Sequence, residues 1–147
     1  MTPEEDLMKT VIEAWGQADV RPVFSALDDN VTWISAAARW DERLRSGGIH
    51  RGRGNVIALL SKISTAFFNH ACTTKEIVSR GEIVWGLFQV ASIYAAPSDG
   101  YVVRRPVNLE MALRWRIRSG RIIDAQTFFD TAGLLRQLGA QSLYGQI

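Results

Sequence analysis

The sequence predicts an α+β fold, with helices from the N-terminal part covering one face of a curved, antiparallel-dominated sheet. Two observations predict it. Over Val107 to Asp130, VNLEMALRWRIRSGRIIDAQTFFD, apolar and polar residues alternate strictly around a Ser-Gly turn, the pattern of a half-buried hairpin. Before Val31, by contrast, apolar residues recur at three- and four-residue spacing, as amphipathic helices require.

Taken in order, Thr2-Pro3-Glu4-Glu5 starts a helix, with a Thr cap, Pro at the first position and Glu5 placed for a capping box. Leu7, Met8, Val11, Ile12 and Trp15 form its apolar face, and Gly16 ends it. Asp19 is expected to cap a second helix carrying Val23, Phe24 and Leu27, stopped by Asp28-Asp29-Asn30. Val31 to Ser35 reads as a short strand, and Ala36 to Arg53 as a long polar connection containing Trp40. Asn55 to Phe68 reads as a third helix, Thr73 to Ser79 as a strand, and Arg80-Gly81 as its turn. Glu82 to Tyr94 is a long apolar strand with both faces covered, and Ala96 to Gly100 a turn into the hairpin. Asp130 caps a final helix, Thr131 to Leu138, ended by Gly139.

In the hairpin, Leu109, Met111, Leu113, Trp115 and Ile117 share one face. A two-residue turn at Ser119-Gly120 would point Asp124 and Gln126 inward. A three-residue loop, Arg118-Ser119-Gly120, instead turns Ile123, Ala125, Thr127 and Phe129 inward and sets Asp124 opposite Arg114. Because it buries almost only apolar groups, the second register is expected. Trp33, Phe88, Met111, Leu113 and Phe129 should then meet Val11, Trp15 and Phe24 on the concave face. Trp85, Leu87, Ile122 and Phe128 remain on the convex face. They are too many large apolar groups to leave wet, and they predict a homodimer formed sheet to sheet.

At 147 residues the chain suits one domain, 1–147. A net charge of +2 gives no electrostatic case for nucleic acid, and no apolar run is long enough for a membrane span. The N-terminus TPEEDLMK is too acidic for a signal peptide, and one cysteine, Cys72, leaves a cytoplasmic location as the default. No metal-ligand spacing and no cofactor motif occur. Gly52-Arg53-Gly54 with Arg51 could offer backbone N–H groups to an anion, but it matches no phosphate-loop pattern. Arg114, Arg116 and Arg118 on the outer face read as part of a salt-bridged interface with Asp124 and Glu110.

Three stretches, WGQADVRPVFSALDDNVTW from Trp15, GIHRGRGNVIALL and RWRIRSGRIIDAQTFFDTAGLLRQLG, together resemble the SnoaL-like branch of the nuclear transport factor 2-like (ketosteroid isomerase-like) superfamily. The resemblance covers nearly the whole chain and implies a cystatin-like cone with a central pocket. It implies no particular reaction, since members include cyclases, isomerases, hydrolases, dehydratases and non-catalytic proteins. The catalytic groups of the ketosteroid isomerases would fall on Val11, Ile34 or Ser35, and Leu113. Those of the epoxide hydrolases would fall on Phe88, Val90 and Thr127, with their water-holding pair on Trp33 and Ser35. Neither set is retained.

The resemblance nevertheless implies a ligand-binding wall of Trp33, Ser35, Phe88, Val90, Met111, Leu113, Thr127 and Phe129. Trp40 is either a lid over it or a packing anchor. His50 is the candidate catalytic acid or base, since an imidazole titrates nearest neutrality; a solvated loop histidine is the plainer alternative. His70 is explained by the end of the third helix, Asp130 by its capping role, and Cys72 by burial as an inert thiol. The expectation is a protein that binds a small hydrophobic or cyclic organic molecule, with isomerase, cyclase or hydrolase chemistry if it is catalytic. A non-catalytic dimeric interaction module is the alternative.

Overall fold

The computed structural model describes residues 1–35, 48–98 and 101–138, with the backbone alone at 69–70, 96–98 and 101–103. The elements run α1 (Pro3–Trp15), α2 (Arg21–Ala26), β1 (Leu27–Ser35), β2 (Gly48–Arg51) and α3 (Arg53–Ala66). They continue β3 (Phe67–Arg80), β4 (Ile83–Ser98), β5 (Tyr101–Arg118), β6 (Arg121–Phe129) and α4 (Thr131–Gln137). The six strands form one strongly curled sheet in the order β2-β1-β6-β5-β4-β3. Only the β1–β6 pair is parallel.

The first helix forms as its sequence dictates. Thr2 accepts from the Glu5 N–H while the Glu5 side chain reaches back, completing the capping box. Met8, Val11, Ile12 and Trp15 are buried on one face. α1 stops at Gly16 as expected, although that glycine keeps ordinary right-handed geometry. The left-handed residue of the C-terminal motif is Ala18 (φ 63°). Asp19 N–H donates to Ala14 O and Ala18 N–H to Trp15 O, the Schellman pattern.

Several expected boundaries move. The N-cap of α2 is Val20, although Asp19 still accepts from the Arg21 N–H at 3.2 Å. Asp28-Asp29-Asn30 does not stop a helix. It lies inside β1, where the pairing with β6 slips, and Asn30 N–H bonds Asp28 Oδ2 in a local turn-like contact. Part of the expected long connection is the edge strand β2. α3 ends at Ala66, so His70 belongs to β3 and has no helix end to complement. β3, β4 and β5 all run longer than expected, while Trp40, Gly139 and residues 99–100 of the expected turn lie outside the described residues.

The hairpin joins the two-residue turn to the inward set of the three-residue one. The turn is the two-residue one: Arg118 pairs with Arg121, and both Ser119 (φ 52°) and Gly120 (φ 73°) are left-handed, as a type I′ turn demands. Left alone, this register would bury Asp124 and Gln126. A bulge prevents it. Ile117 pairs with Ile122 but Arg116 pairs with Asp124, so Ile123 is the extra residue and the parity flips. Ala125 and Thr127 become buried, and Ile122, expected on the convex face, is fully buried as well. Asp124 therefore faces Arg116 rather than Arg114, yet it bonds both guanidinium groups, at 3.3 and 2.9 Å.

β4 also alternates more strictly than its composition suggested. Val84, Gly86, Phe88, Val90 and Ser92 face inward and are buried. On the other side Trp85 stays exposed and Leu87 half-buried. The main core joins α1, α2 and α3 to the inner face through Val11, Trp15, Trp33, Phe88, Leu113 and Trp115, with Phe24 and Met111 packed against it. A second, smaller cluster gathers Val107, Leu134 and Leu135 beneath α4, and Phe129 packs there.

Candidate functional site

Where the two apolar clusters meet, they leave a cavity of about 120 Å³. That is close to an engineered cavity of about 150 Å³ known to admit benzene. Each surrounding element supplies an inward-facing residue for a local reason. Trp15 closes α1 and its indole Nε1–H donates to Ser64 Oγ at 3.2 Å, tying α1 to α3. Leu60 comes from the buried stripe of α3, and the half-buried Ile63 from the next turn. β4 and β5 contribute alternate residues, Val90 and Ser92 from one, Val107, Leu109, Met111 and Leu113 from the other. α4 places Leu134 over the end. It is held there by a paired amide contact: Gln137 Oε1 accepts from Asn108 N–H and Gln137 Nε2 donates to Asn108 O, both at 2.8 Å.

Of the expected wall, Trp33, Ser35, Val90, Met111, Leu113, Thr127 and Phe129 do surround the cavity. Phe88 does not. It is fully buried deeper in the core, one inward position before Val90. Trp33 packs against Trp115 with ring centroids 6.3 Å apart and planes tilted by 58°. His50 pairs in register with Trp33 across β1–β2, half-buried on that edge strand, and is not part of the cavity wall. Trp40 lies outside the described residues.

Electrostatically the wall is neutral. Among the described residues no Asp, Glu, Lys, Arg or His lines it. Besides indole N–H groups, its polar atoms are the hydroxyls of Ser35, Ser92 and Thr127 and the Cys72 thiol. Burial pushes that thiol up to about 11, so it is protonated near neutrality. No group of three or more His, Cys, Asp or Glu among the described residues is placed to hold a metal ion. Such a wall can bind and orient a neutral molecule by shape and a few hydrogen bonds.

Sequence reasoning missed Ser92. Its signal was present: read with period two, the apolar row Val84, Gly86, Phe88, Val90 is followed by a hydroxyl at Ser92. Reading the strand as apolar on both faces hid that row. The sequence marks Trp15 and Cys72 as core positions, but only the packing reveals that a void adjoins them.

The fold is that of the nuclear transport factor 2-like, or ketosteroid isomerase-like, proteins, the class its sequence resembles. An NTF2-like protein of unknown function from Burkholderia pseudomallei superposes with a TM-score of 0.77 at 24% identity, over 95% of this chain and 100% of that one. IdmH of Streptomyces antibioticus, a proposed polyketide cyclase, gives a TM-score of 0.72 at 21% identity, over 95% and 100% of the two chains. A Catenulispora acidiphila protein with a ketosteroid isomerase-like fold, in complex with trimethylamine, gives 0.65 at 17% identity, over 91% and 92%. No family model and no curated relative matches the chain. No helix among the described residues is long and apolar enough to cross a membrane.

Proposed function

We propose that this protein binds a small, uncharged, largely apolar organic molecule in the cavity between its two cores. The observation that carries this reading is the wall itself: a cavity of about 120 Å³ surrounded by aliphatic and aromatic groups with a few hydroxyls and no described charge. Solved structures of the same fold include a proposed cyclase and a protein in complex with a small amine, which supports a ligand-binding role. Native mass spectrometry of the purified protein, followed by titration with apolar probes monitored at the lining amides, tests it. A small-molecule adduct lost on denaturation, or saturable shifts at Val90, Leu113 and Thr127, supports binding. A bare protein whose lining amides ignore every probe sinks it.

Should the bound molecule be turned over by isomerase, cyclase or hydrolase-type proton transfer, our candidate acid or base is His50, the register partner of the wall residue Trp33, which would have to act from outside the wall itself. His50→Ala should then abolish turnover with the fold intact, and unchanged turnover removes His50 from the mechanism.

The outer face favours a homodimer. Trp85 and Phe128 stack there with centroids 5.9 Å apart and planes 21° from parallel, both exposed, and Val78 lies exposed beside Trp85 in the register. Arg114, Arg116, Arg118, Asp124 and Glu82 form an ion-pair network alongside. Apolar rings with a paired charged margin fit a self-complementary contact between two copies. Light scattering should return twice the chain mass, falling to one chain mass in Trp85→Glu. A wild-type monomer at tens of micromolar rejects the dimer.

A further inference from the structure

Ser92 is anomalous within the cavity wall. It is 4% exposed, faces inward from β4, and its Oγ has no hydrogen-bond partner among the described residues. A buried hydroxyl without a partner is a liability that natural interiors rarely retain. Ser92 stands between Asn69 of β3 and Val107 of β5 in the register, and the cavity-lining residue two positions before it is Val90. Among the described residues none gives Ser92 Oγ a hydrogen bond. Ser35 and Thr127 lie on β1 and β6, neighbouring strands on the other side of β5. The polar atoms of the wall are therefore divided, with one sealed and unsatisfied hydroxyl on β4.

We infer that Ser92 Oγ is the polar anchor of the ligand, and that the cavity selects a neutral, ring-sized apolar molecule carrying one hydrogen-bonding oxygen, such as a phenol, cyclic alcohol or cyclic ketone. The inference rests on the ligand-binding reading above and narrows it to a chemical class. A charged ligand is disfavoured because no described side chain of the wall could compensate its desolvation. A pure hydrocarbon would fill the void but leave Ser92 unsatisfied. A single oxygen supplies the missing partner, because a serine hydroxyl both donates and accepts.

The test is a pair of near-isosteric probes, phenol and toluene, titrated into the wild-type protein and Ser92→Ala while lining amides are followed by NMR. Removing the anchor should weaken phenol about tenfold and leave toluene unchanged or tighter, the size expected of one neutral hydrogen bond. Thermal unfolding without probe is the second readout. Ser92→Ala should match or exceed the wild-type midpoint, since the hydroxyl it loses has no partner. A lowered midpoint means the hydroxyl is already satisfied by the protein or a fixed water, and overturns the inference. Equal weakening of both probes, or of neither, overturns it while leaving the cavity a binding site. So does a phenol preference kept in Ser92→Ala and lost in Thr127→Val. If neither probe perturbs any lining amide of the wild type, the ligand-binding reading itself has failed, a result distinct from the others.

Discussion

Gly16 at the end of α1 lies against the backbone of Cys72 on β3: a Cβ added to the glycine would sit 2.3 Å from the Cys72 nitrogen. The contact fixes how closely the first helix approaches the sheet, and Trp15, one residue earlier, borders the cavity. Backbone cannot rotate away as a flexible side chain can. Gly16→Ala should therefore destabilise the protein by about 1–3 kcal/mol, the usual cost of overpacking a core, measured by chemical denaturation. A value near zero would mean that α1 can shift outward freely.

Ala18 predicts the opposite sign. It holds the left-handed position of the Schellman motif at φ 63°, where a Cβ is penalised and glycine is usual. Ala18→Gly should stabilise by about 0.5–1 kcal/mol after the greater chain entropy of glycine in the unfolded state is subtracted. Denaturation midpoints of the two glycine-exchange variants should move in opposite directions.

Cys72 should be a slow thiol. Burial holds it up to about 11 against an ordinary 9.0, which lowers its thiolate fraction near neutrality about a hundredfold. Labelling with a disulfide reagent should be slower by at least that factor than in the urea-unfolded chain, and should accelerate as the pH approaches 11. Because Cys72 adjoins the cavity, an occupant should slow it further. Equal rates in folded and unfolded protein would contradict the burial.

Gln137 clamps α4 to β5 through both backbone groups of Asn108, at a point beyond the last β5–β6 pair, Met111 with Phe129. Removing the amide in Gln137→Ala should cost about 1 kcal/mol, with the two exposed backbone groups turning to water. Hydrogen exchange should quicken at Asn108 and through residues 131–137. Exchange confined to its wild-type rate would show that Leu134 and Leu135 alone hold the helix.

Glu13 joins α1 to β3. Its carboxylate is held below its ordinary value chiefly by the hydrogen bond from Lys9, with a further one from Thr74 at 3.0 Å. A depressed folded-state value means the contribution is present above the unfolded carboxylate range and is lost as pH falls through the folded value. Stability should accordingly decline on acidification, and decline less steeply in Glu13→Gln over that range. The group is largely solvent-accessible, so the difference should be small. Parallel acid curves for the two proteins would reject the link.

The local elements were legible in sequence because their causes are local. The capping box at Thr2 and Glu5, the buried stripe Met8-Val11-Ile12-Trp15 and the inward row Leu113-Trp115-Ile117 each follow from spacing alone. Burial parity also identified Ala125 and Thr127 as inward, although the hairpin reached that answer by another route. Turn geometry favoured two residues, burial favoured the opposite parity, and a bulge at Ile123 satisfied both. A strand's own sequence does not reveal such a compromise, because it depends on what the partner strand presents. The same holds for Gly16, whose function lies in its distance from Cys72 and not in its own dihedral angles.

The candidate site was decided by tertiary structure for the same reason. Sequence alone determined which residues must turn away from water, and so most of the wall. Only the packing determined that the main core and the α4 cluster fail to close over one another, that Phe88 lies behind the wall, and that His50 sits on the edge strand rather than at the cavity. A void is a property of many side chains meeting, and a hydroxyl such as that of Ser92 is unsatisfied only relative to every neighbour that could have bonded it.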